Sequence, residues 1–407
     1  MLIVQKYGGT SVADASRIKN VARRVVKEYR KGNQMVVVVS AMGDTTDDLI
    51  ALSRQITDNP SPREMDVLLS TGERISSALL AMAIKSLGVE VISLTGRQAG
   101  IKTDMVYNKA RIIDVESDRM REELAKSKIL IVAGFQGLNQ YGDITTLGRG
   151  GSDTTAVVLA AALQADLCEI YTDVDGVYTA DPRVVPEARK LATITYDEML
   201  ELAHLGAGVL HPRSVECAKH YGIPLHVRSS FNDNPGTIVK EETDMEKDMV
   251  ITGVTYNKNV AKLSVFGVPD QPGIAYKIFK NLADKNISVD MIVQSAMRDG
   301  INDISFTVAQ DDLPVSIESI EEIVKEIDAQ GYAHNADVAM VSIVGAGMNS
   351  NPGVAAMMFG VLSEEGINIH MISTSDIKIS CIVKNKDAEQ AVKALHKKFG
   401  LDRIGPN

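Results

Sequence analysis

The sequence predicts an α/β layered domain with a mainly parallel central sheet over residues 1 to 240, followed by two copies of a smaller strand-and-helix module. Three observations predict it. Short β-branched runs that are apolar on both faces alternate with helical patterns, as buried parallel strands require. Corners rich in glycine or hydroxyl residues fall at the ends of those runs, where open parallel sheets gather their ligands. In the second half, a segment repeats without gaps at an offset of 80 residues.

The runs in order are LIVQKY (Leu2 to Tyr7), MVVVV (Met35 to Val39), VISL (Val91 to Leu94), KILIVAGF (Lys128 to Phe135) and CEIYTDV (Cys168 to Val174). Between the first two, Ile18, Val21, Ala22 and Val25 make one apolar helical stripe, closed by Gly32 as a C-terminal cap. In the first corner, KYGGTS, a strand delivers Lys6 and two glycines expose N–H groups. A helix is expected from Ser11, with Asp14 completing a capping box. That arrangement suits phosphates with Lys6 as the point charge, although a Gly-Gly turn before a helix is also simply a turn. The second corner, SAMGDTTD (Ser40 to Asp47), carries hydroxyls that either cap a helix or bond a polar ligand. In the third, TTLGRGGSDTTA (Thr145 to Ala156), three glycines precede an apolar helical run. The spacing fits neither G-x-G-x-x-G nor G-x-x-x-x-G-K-[ST]. Arg149 in this loop offers a planar fork that pairs bidentately with a carboxylate, which argues for a carboxylate ligand over a nucleotide phosphate.

Past Asp248 the pattern changes. Pro272 to Ser295 aligns with Pro352 to Ser375, nine of 24 positions being identical. Each copy reads as strand, Pro-Gly loop, amphipathic helix and second strand, and a third strand follows from Asp303 or Asp376. The polar stretch EETDMEK (Glu241 to Lys247) is the expected linker, and Met245 and Met249 read either as ordinary methionines or as an internal start.

Composition narrows the function. A net charge of -10 with 4% aromatic residues and no Trp leaves no basic field for nucleic acid. Cys168, Cys217 and Cys381 form no C-x-x-C, an odd count that suits a reducing compartment, and seven histidines form no H-E-x-x-H, so no zinc is expected. The apolar run AVVLAAAL is too short to cross a bilayer, and the start MLIVQKYGG reads as a strand and not a signal peptide; the expected location is cytoplasmic, with no membrane partner.

The tandem repeats resemble ACT domains, small modules that pair their sheets and bind amino acids, or that serve only to dimerise. Together with KYGGTSV, SAMGDTTD, LLSTGER (Leu68 to Arg74), TTLGRGGSDTTA and YTDVDGVYTADPR (Tyr171 to Arg183), they make the whole chain similar to the monofunctional aspartokinases of the amino-acid kinase family. The resemblance implies a three-layer αβα catalytic domain over 1–240, a linker and first regulatory strand over 241–260, and two ferredoxin-like βαββαβ ACT domains over 261–335 and 336–407. It implies transfer of the ATP γ-phosphate to the β-carboxylate of L-aspartate, with Mg²⁺ accompanying ATP. Lysine or threonine would act as effectors on a homodimer or higher oligomer.

The same resemblance assigns residues. Lys6, Tyr7, Gly8 and Gly9 correspond to the phosphate cradle, with Lys6 and Asp153 catalytic and Asp153 orienting the lysine or the metal. Ser40, Thr46, Glu73, Arg149, Gly150, Gly151 and Ser152 correspond to the aspartate site, Glu73 taking the ammonium and Arg149 the α-carboxylate. Thr172, Asp173, Tyr178, Asp181 and Arg183 correspond to nucleotide positions. Effector positions are Asp270, Gly273, Ser288, Val289, Asp290 and Gln294, with Asn368, Ile369 and Ser375 from the second copy. No metal site is expected from protein side chains alone. One position departs from the family: Gly208 stands where GAKVLHP has lysine, leaving Arg183, Arg213 or the metal to supply that charge. Two other readings are a kinase for a related acidic amino acid and a non-catalytic amino-acid sensor. A carboxylate with a reference pKa near 4 is already an anion at neutral pH, so the implied nucleophile needs no general base.

Overall fold

In the computed structural model, which describes residues 1–206, 208–241, 250–298, 300–348 and 351–403, the expected strands of the first half all form. Beyond Glu241 the expected linker lies outside the described residues, as do Met245 and Met249. Two compact units are resolved. One comprises 1–177, 190–204 and 208–241; the other takes in 178–189 together with 205–206 and the described residues from 250 onward.

The first unit begins β1 (Leu2–Tyr7), α1 (Ala15–Tyr29), β2 (Gln34–Val39), α2 (Thr45–Ile56) and α3 (Pro62–Lys85). It continues through β3 (Val91–Leu94), β4 (Ile101–Thr103), β5 (Ile112–Val115), α4 (Asp118–Ala125) and β6 (Ile129–Ala133). Next come β7 (Gln136–Leu138), β8 (Ile144–Thr146), α5 (Gly151–Leu163) and β9 (Leu167–Thr172). The unit closes with β10 (Thr193–Thr195), α6 (Tyr196–His204), α7 (Pro212–Tyr221), β11 (Leu225–Ser229) and β12 (Thr237–Lys240). Eight strands form the main sheet in the order β10-β12-β11-β9-β1-β2-β6-β3, parallel throughout except between β11 and β12. A smaller sheet, β5-β4-β7-β8, leads into α5.

Alternation along the strands sorts residues between the two faces. Ile3, Tyr7, Met35, Val37, Val39, Ile129 and Ile131 pack into one core with the apolar stripe of α1 and with Leu80 and Ile84 of α3. Lys6 falls on the opposite face, where α5 packs against β1. At the N-terminus of α1 the structure differs from expectation. Residues Gly9–Val12 form a short 3-10 turn, and Asp14 is itself the cap, its carboxylate accepting the Arg17 N–H at 2.9 Å. The extra turn lets the two glycines remain outside the helix.

Among the described residues α3 alone has the length and apolar composition to cross a bilayer. Its buried face, however, includes Asp66, Ser70, Glu73, Ser76 and Ser77. That polar inner face belongs to a core helix lining a site.

The second unit contains β13 (Gly253–Asn257), β14 (Ala261–Pro269), α8 (Ile274–Asp284), β15 (Val289–Gln294) and β16 (Ile301–Val308). These are followed by α9 (Leu313–Glu326), β17 (Gly331–Asn335), β18 (Val338–Val344), α10 (Val354–Glu364), β19 (Met371–Thr374), β20 (Lys378–Lys384) and α11 (Ala388–Lys398). Its first sheet, β15-β16-β14-β17, is an uninterrupted βαββαβ module. Its second, β13-β18-β20-β19, takes its outer strand from residues that precede the first module, so the first module is inserted within the second. Both Pro-Gly loops end at a left-handed glycine capping a helix, Gly273 at φ +93° and Gly353 at φ +103°. The offset of 80 residues therefore reports a true structural repeat. Residues Ala180, Val184 and Val185 lie in the core of the second module with Ile251, Val254 and Leu395.

Candidate active site

A cavity of about 720 Å³ opens on the first unit, and its walls come from the three corners and the buried face of α3. Lys6 at the end of β1 reaches Asp153 in the first turn of α5, with Nζ to Oδ1 at 2.6 Å. The contact is an ion pair without hydrogen-bond alignment: Asp153 Oδ1 is buried and has no hydrogen-bond partner. Both side chains are about one-eighth exposed, so the pair faces the cavity with little water to screen it.

The second corner is held by α3. At Gly72 a Cβ would come to 2.7 Å from the Ala41 Cβ, so only glycine lets the helix approach this closely. The approach lets the Ala41 N–H donate to Glu73 Oε1 at 3.1 Å, while the Ser76 hydroxyl donates to the Ser40 carbonyl at 2.7 Å. Glu73 is 3% exposed, and its other oxygen, Oε2, is buried with no partner. Burial pushes its carboxyl up to about 7, against the opposing effect of the Ala41 hydrogen bond. A carboxylate in that state lacks a cation.

The third corner supplies Arg149 on an exposed loop, followed by Gly150 and Gly151, with Ser152 and Asp153 in the first turn of α5. Gly150 sits at φ +67°, and a Cβ there would strike the His211 ring at 2.1 Å, so no other residue fits between the loop and α7. The α5 N-terminus thus opens toward the cavity with its first N–H groups and partial positive charge.

Ser40, Thr46, Glu73, Arg149, Gly150, Gly151, Ser152, Lys6, Gly9 and Asp153, all expected from the sequence, line this one cavity. Tyr7 does not. Its ring is fully buried on the other face of β1, stacked on Tyr171 at 4.6 Å, because consecutive strand residues point to opposite faces. Gly8 stays at the corner, its N–H donating to the Tyr171 carbonyl at 3.3 Å. Thr172 ends β9, and its hydroxyl donates to the carboxylate of Asp173 just beyond the strand at 3.0 Å, neither residue lining the cavity. Tyr178, Asp181 and Arg183 belong to the second unit, where Arg183 pairs with Asp181 at 2.7 Å. Of the arginines expected to stand in for a lysine at Gly208, Arg213 has its guanidinium turned to the carbonyls of Leu147 and Ala110. Gly208 itself adopts φ +68°.

Sequence reasoning missed Asp47, Ile50, Met65, Leu69, Asn108, Phe135 and Thr146 among the lining residues. Met65 and Leu69 share the α3 face with Glu73 at helical spacing, a signal that was available. Asn108 lies in an irregular loop and offered none.

In the second unit, Asp270, Gly273, Ser288, Asp290, Gln294, Asn368 and Ser375 are exposed, and Val289 and Ile369 are partly so. They occupy corresponding places in the two repeats: Ser288 directly precedes β15 as Asn368 and Ile369 precede β19, and Gln294 ends β15 as Ser375 follows β19. The edge strands β15 and β19 lie beside each other while their sheets stay separate.

A glycine-cornered parallel sheet, with a lysine–aspartate pair and a lone buried carboxylate in a cavity of about 720 Å³, is the arrangement of a small-molecule kinase acting on an amino acid. Residues 1–229 match the amino acid kinase family, and residues 263–323 and 341–399 match the ACT domain. An aspartokinase of Mycolicibacterium smegmatis is 53% identical over 98% of this chain and 96% of its own length. An aspartate kinase of Pseudomonas putida is 51% identical over 98% of both chains. Escherichia coli aspartokinase III, solved in complex with aspartate and ADP, superposes with a TM-score of 0.83 at 28% identity, covering 98% of this chain and 99% of that one. The same enzyme in complex with lysine and aspartate gives 0.76 over the same coverage. The chain belongs to the aspartokinases of the amino acid kinase family.

Proposed function

We infer that this chain transfers the γ-phosphoryl group of ATP to the β-carboxylate of L-aspartate, giving 4-phospho-L-aspartate and ADP, under feedback control through its ACT modules. The observation that carries the assignment of the site is the partnerless, buried Oε2 of Glu73, in the same cavity as Arg149 and the Lys6–Asp153 pair. A substrate α-ammonium fits Glu73, and its α-carboxylate fits the guanidinium of Arg149. Ser40, Thr46, Gly150, Gly151 and Ser152 complete the aspartate site.

With both backbone charges engaged, the side-chain carboxylate is left to attack. One of its oxygens forms a bond to the γ-phosphorus as the bond to the β,γ-bridging oxygen breaks, and ADP leaves with that electron pair. No proton need be removed from the nucleophile. The barrier lies in bringing one anion against another, and Lys6 with the N–H group at Gly9 lowers it by placing positive charge where the phosphoryl oxygens gather it, while Gly8 shapes the turn that brings them there. Asp153 holds the Lys6 ammonium in place. Thr172, Asp173, Tyr178, Asp181 and Arg183 are assigned to the nucleotide.

Among the described residues no group of three or more His, Cys, Asp or Glu side chains is placed to hold a metal. The buried Asp153 Oδ1, without a hydrogen-bond partner, fits a Mg²⁺ ion that would otherwise be carried by the ATP phosphates and water; when bound, the ion would supply further positive charge at the phosphoryl oxygens.

Lysine or threonine is the proposed effector. Asp270 offers an acceptor for its ammonium, and the helix start at Gly273 offers N–H donors for its carboxylate. Ser288, Val289, Asp290 and Gln294 of the first module and Asn368, Ile369 and Ser375 of the second complete the proposed site. Assembly as a homodimer or higher oligomer through these modules is supported by the exposed apolar residues Ile292 and Val293 on β15 and Ile372 on β19. The proposed setting is the cytoplasm.

A coupled ATP-turnover assay tests the reading. Purified enzyme should turn over ATP with L-aspartate and far more slowly with L-glutamate or with no amino acid. Preference for glutamate would move the assignment to the longer acid. Turnover with neither would leave a sensor.

A further inference from the structure

Asp66 is 0% exposed, a carboxylate fully withdrawn from water and without a cationic partner among its hydrogen bonds. Its two oxygens accept the Asn108 N–H at 3.1 and 3.0 Å, and the Thr146 hydroxyl donates to Oδ1 at 2.5 Å. Burial raises its pKa, with the bonds from Thr146 and Asn108 acting against that rise. These bonds tie α3 to two segments that are otherwise distant in sequence. One is the loop at 108–110, where Asn108 takes the left-handed conformation at φ +64°. The other is the end of β8, three residues before Arg149.

The two segments are also bound to each other. The Ala110 N–H donates to the Thr146 carbonyl at 2.9 Å, and Arg213 on α7 donates to the carbonyls of Leu147 at 3.0 Å and Ala110 at 2.8 Å. A buried carboxylate on one side and a half-buried guanidinium on the other therefore clamp the backbone that delivers Arg149. Asp66 and Glu73 are seven residues apart on one face of α3, about two turns or roughly 10 Å along the axis. The helix that presents the ammonium acceptor also fixes the loop that presents the carboxylate donor.

We propose that Asp66 and Arg213 are positioning residues that set the distance between Glu73 and Arg149, so that α3 gauges the separation of the two backbone charges of the substrate. The proposal rests on the assignment of Glu73 and Arg149 to the aspartate ammonium and α-carboxylate. Neither Asp66 nor Arg213 needs to touch substrate. Their effect is on where Arg149 can reach, and thus on aspartate binding more than on phosphoryl transfer or on ATP.

Steady-state kinetics on the full chain test it. Asp66→Asn keeps the volume but replaces an acceptor oxygen by an NH₂ facing donors. It should raise the KM for L-aspartate at least fivefold while kcat at saturating aspartate and the KM for ATP change less than twofold. Arg213→Lys, which keeps charge and loses the fork, should give the same split, and it carries the test should Asp66→Asn fail to fold. In the double variant Asp66→Asn/Arg149→Ala, kcat/KM for aspartate should fall less than twofold below that of Arg149→Ala alone, because a mispositioned arginine and an absent one lose the same contact.

A brace of general stability would instead change kcat and both KM values together, or multiply with Arg149→Ala, and either result overturns the proposal. So does an unchanged aspartate KM in both single variants, and if Arg149→Ala still raises that KM, the substrate assignment stands without it. If Arg149→Ala leaves the aspartate KM unchanged, the assignment of the loop fails, and the positioning role falls with it.

Discussion

Lowering the pH from 8 to 6 should raise the KM for L-aspartate about tenfold, because the acceptor for its ammonium must be ionised to bind it. Glu73 has its carboxyl pushed up to about 7 by burial. At pH 8 roughly ten-elevenths of it is ionised and at pH 6 roughly one-eleventh, a ratio of about ten, or about 1.4 kcal/mol. The β-carboxylate of the substrate, with a reference value near 3.9, stays ionised across this window. The sign for the free enzyme runs the other way. A folded-state pKa above the unfolded value means the folded chain holds more protons between about 4.5 and 7, so ligand-free stability is greatest below that window and is lost as pH rises through it. The full loss is about 3 kcal/mol, of which about 1.4 kcal/mol falls between pH 6 and 8. Bound aspartate should return it, since the ammonium compensates the buried charge. The assay is the pH profile of KM for aspartate at saturating MgATP, with the KM for ATP followed in parallel, on the wild type and on Glu73→Gln. The variant keeps the shape, has no proton to lose, and should bind weakly at every pH with a flat profile. A flat wild-type profile, or the same slope retained in Glu73→Gln, would refute the reasoning.

Arg149→Ala should remove the charge-assisted grip on the α-carboxylate and cost about 2 to 4 kcal/mol in kcat/KM for aspartate, while circular dichroism and melting stay near wild type. Near-normal kcat/KM would take this loop away from the substrate. Lys6→Ala should act on kcat more than on the aspartate KM, since its charge matters most as the phosphoryl group moves. Full kcat in Lys6→Ala would contradict the role. Asp270→Ala or Gln294→Ala should raise the inhibitory concentration of lysine or threonine at least tenfold, about 1.4 kcal/mol of coupling. Unchanged inhibition in both, with effector binding measured directly, would place the regulatory site elsewhere.

Lys6, the glycine corners and the start of α5 were legible because each is a local pattern: a strand that ends at a cation, a glycine turn, an N-terminal helical turn. The KYGG motif sets Tyr7 with Lys6 in the phosphate cradle, whereas strand alternation sends its ring to the opposite face. Asp14 was read one motif too late, since a 3-10 turn and a helix start look alike in four residues. A strand is expected within 241–260, and β13 (Gly253–Asn257) forms there, but its place in the second ACT module is not visible in the sequence. Pairing of Gly253–Asn257 with Met340–Val344 spans the whole first module, and nothing local to either strand names its partner.

The braces behind the cavity are set by the fold and not by any local pattern. Asp66 and Arg213 are polar residues serving backbone groups of other segments, and such partners are defined only by the fold. Yet the clearest sign that this pocket binds a charged ligand also comes from such a group. A protein seldom buries a carboxylate oxygen without a partner, because the desolvation is uncompensated. Glu73 Oε2 is left in that state in the same cavity as an exposed arginine and a lysine already paired. Asp66, equally buried on the same helix face, has all its bonds satisfied from within the chain. On the proposed reading the contrast separates the two carboxylates by role: the satisfied one would fix a distance, and the unsatisfied one would take the substrate ammonium.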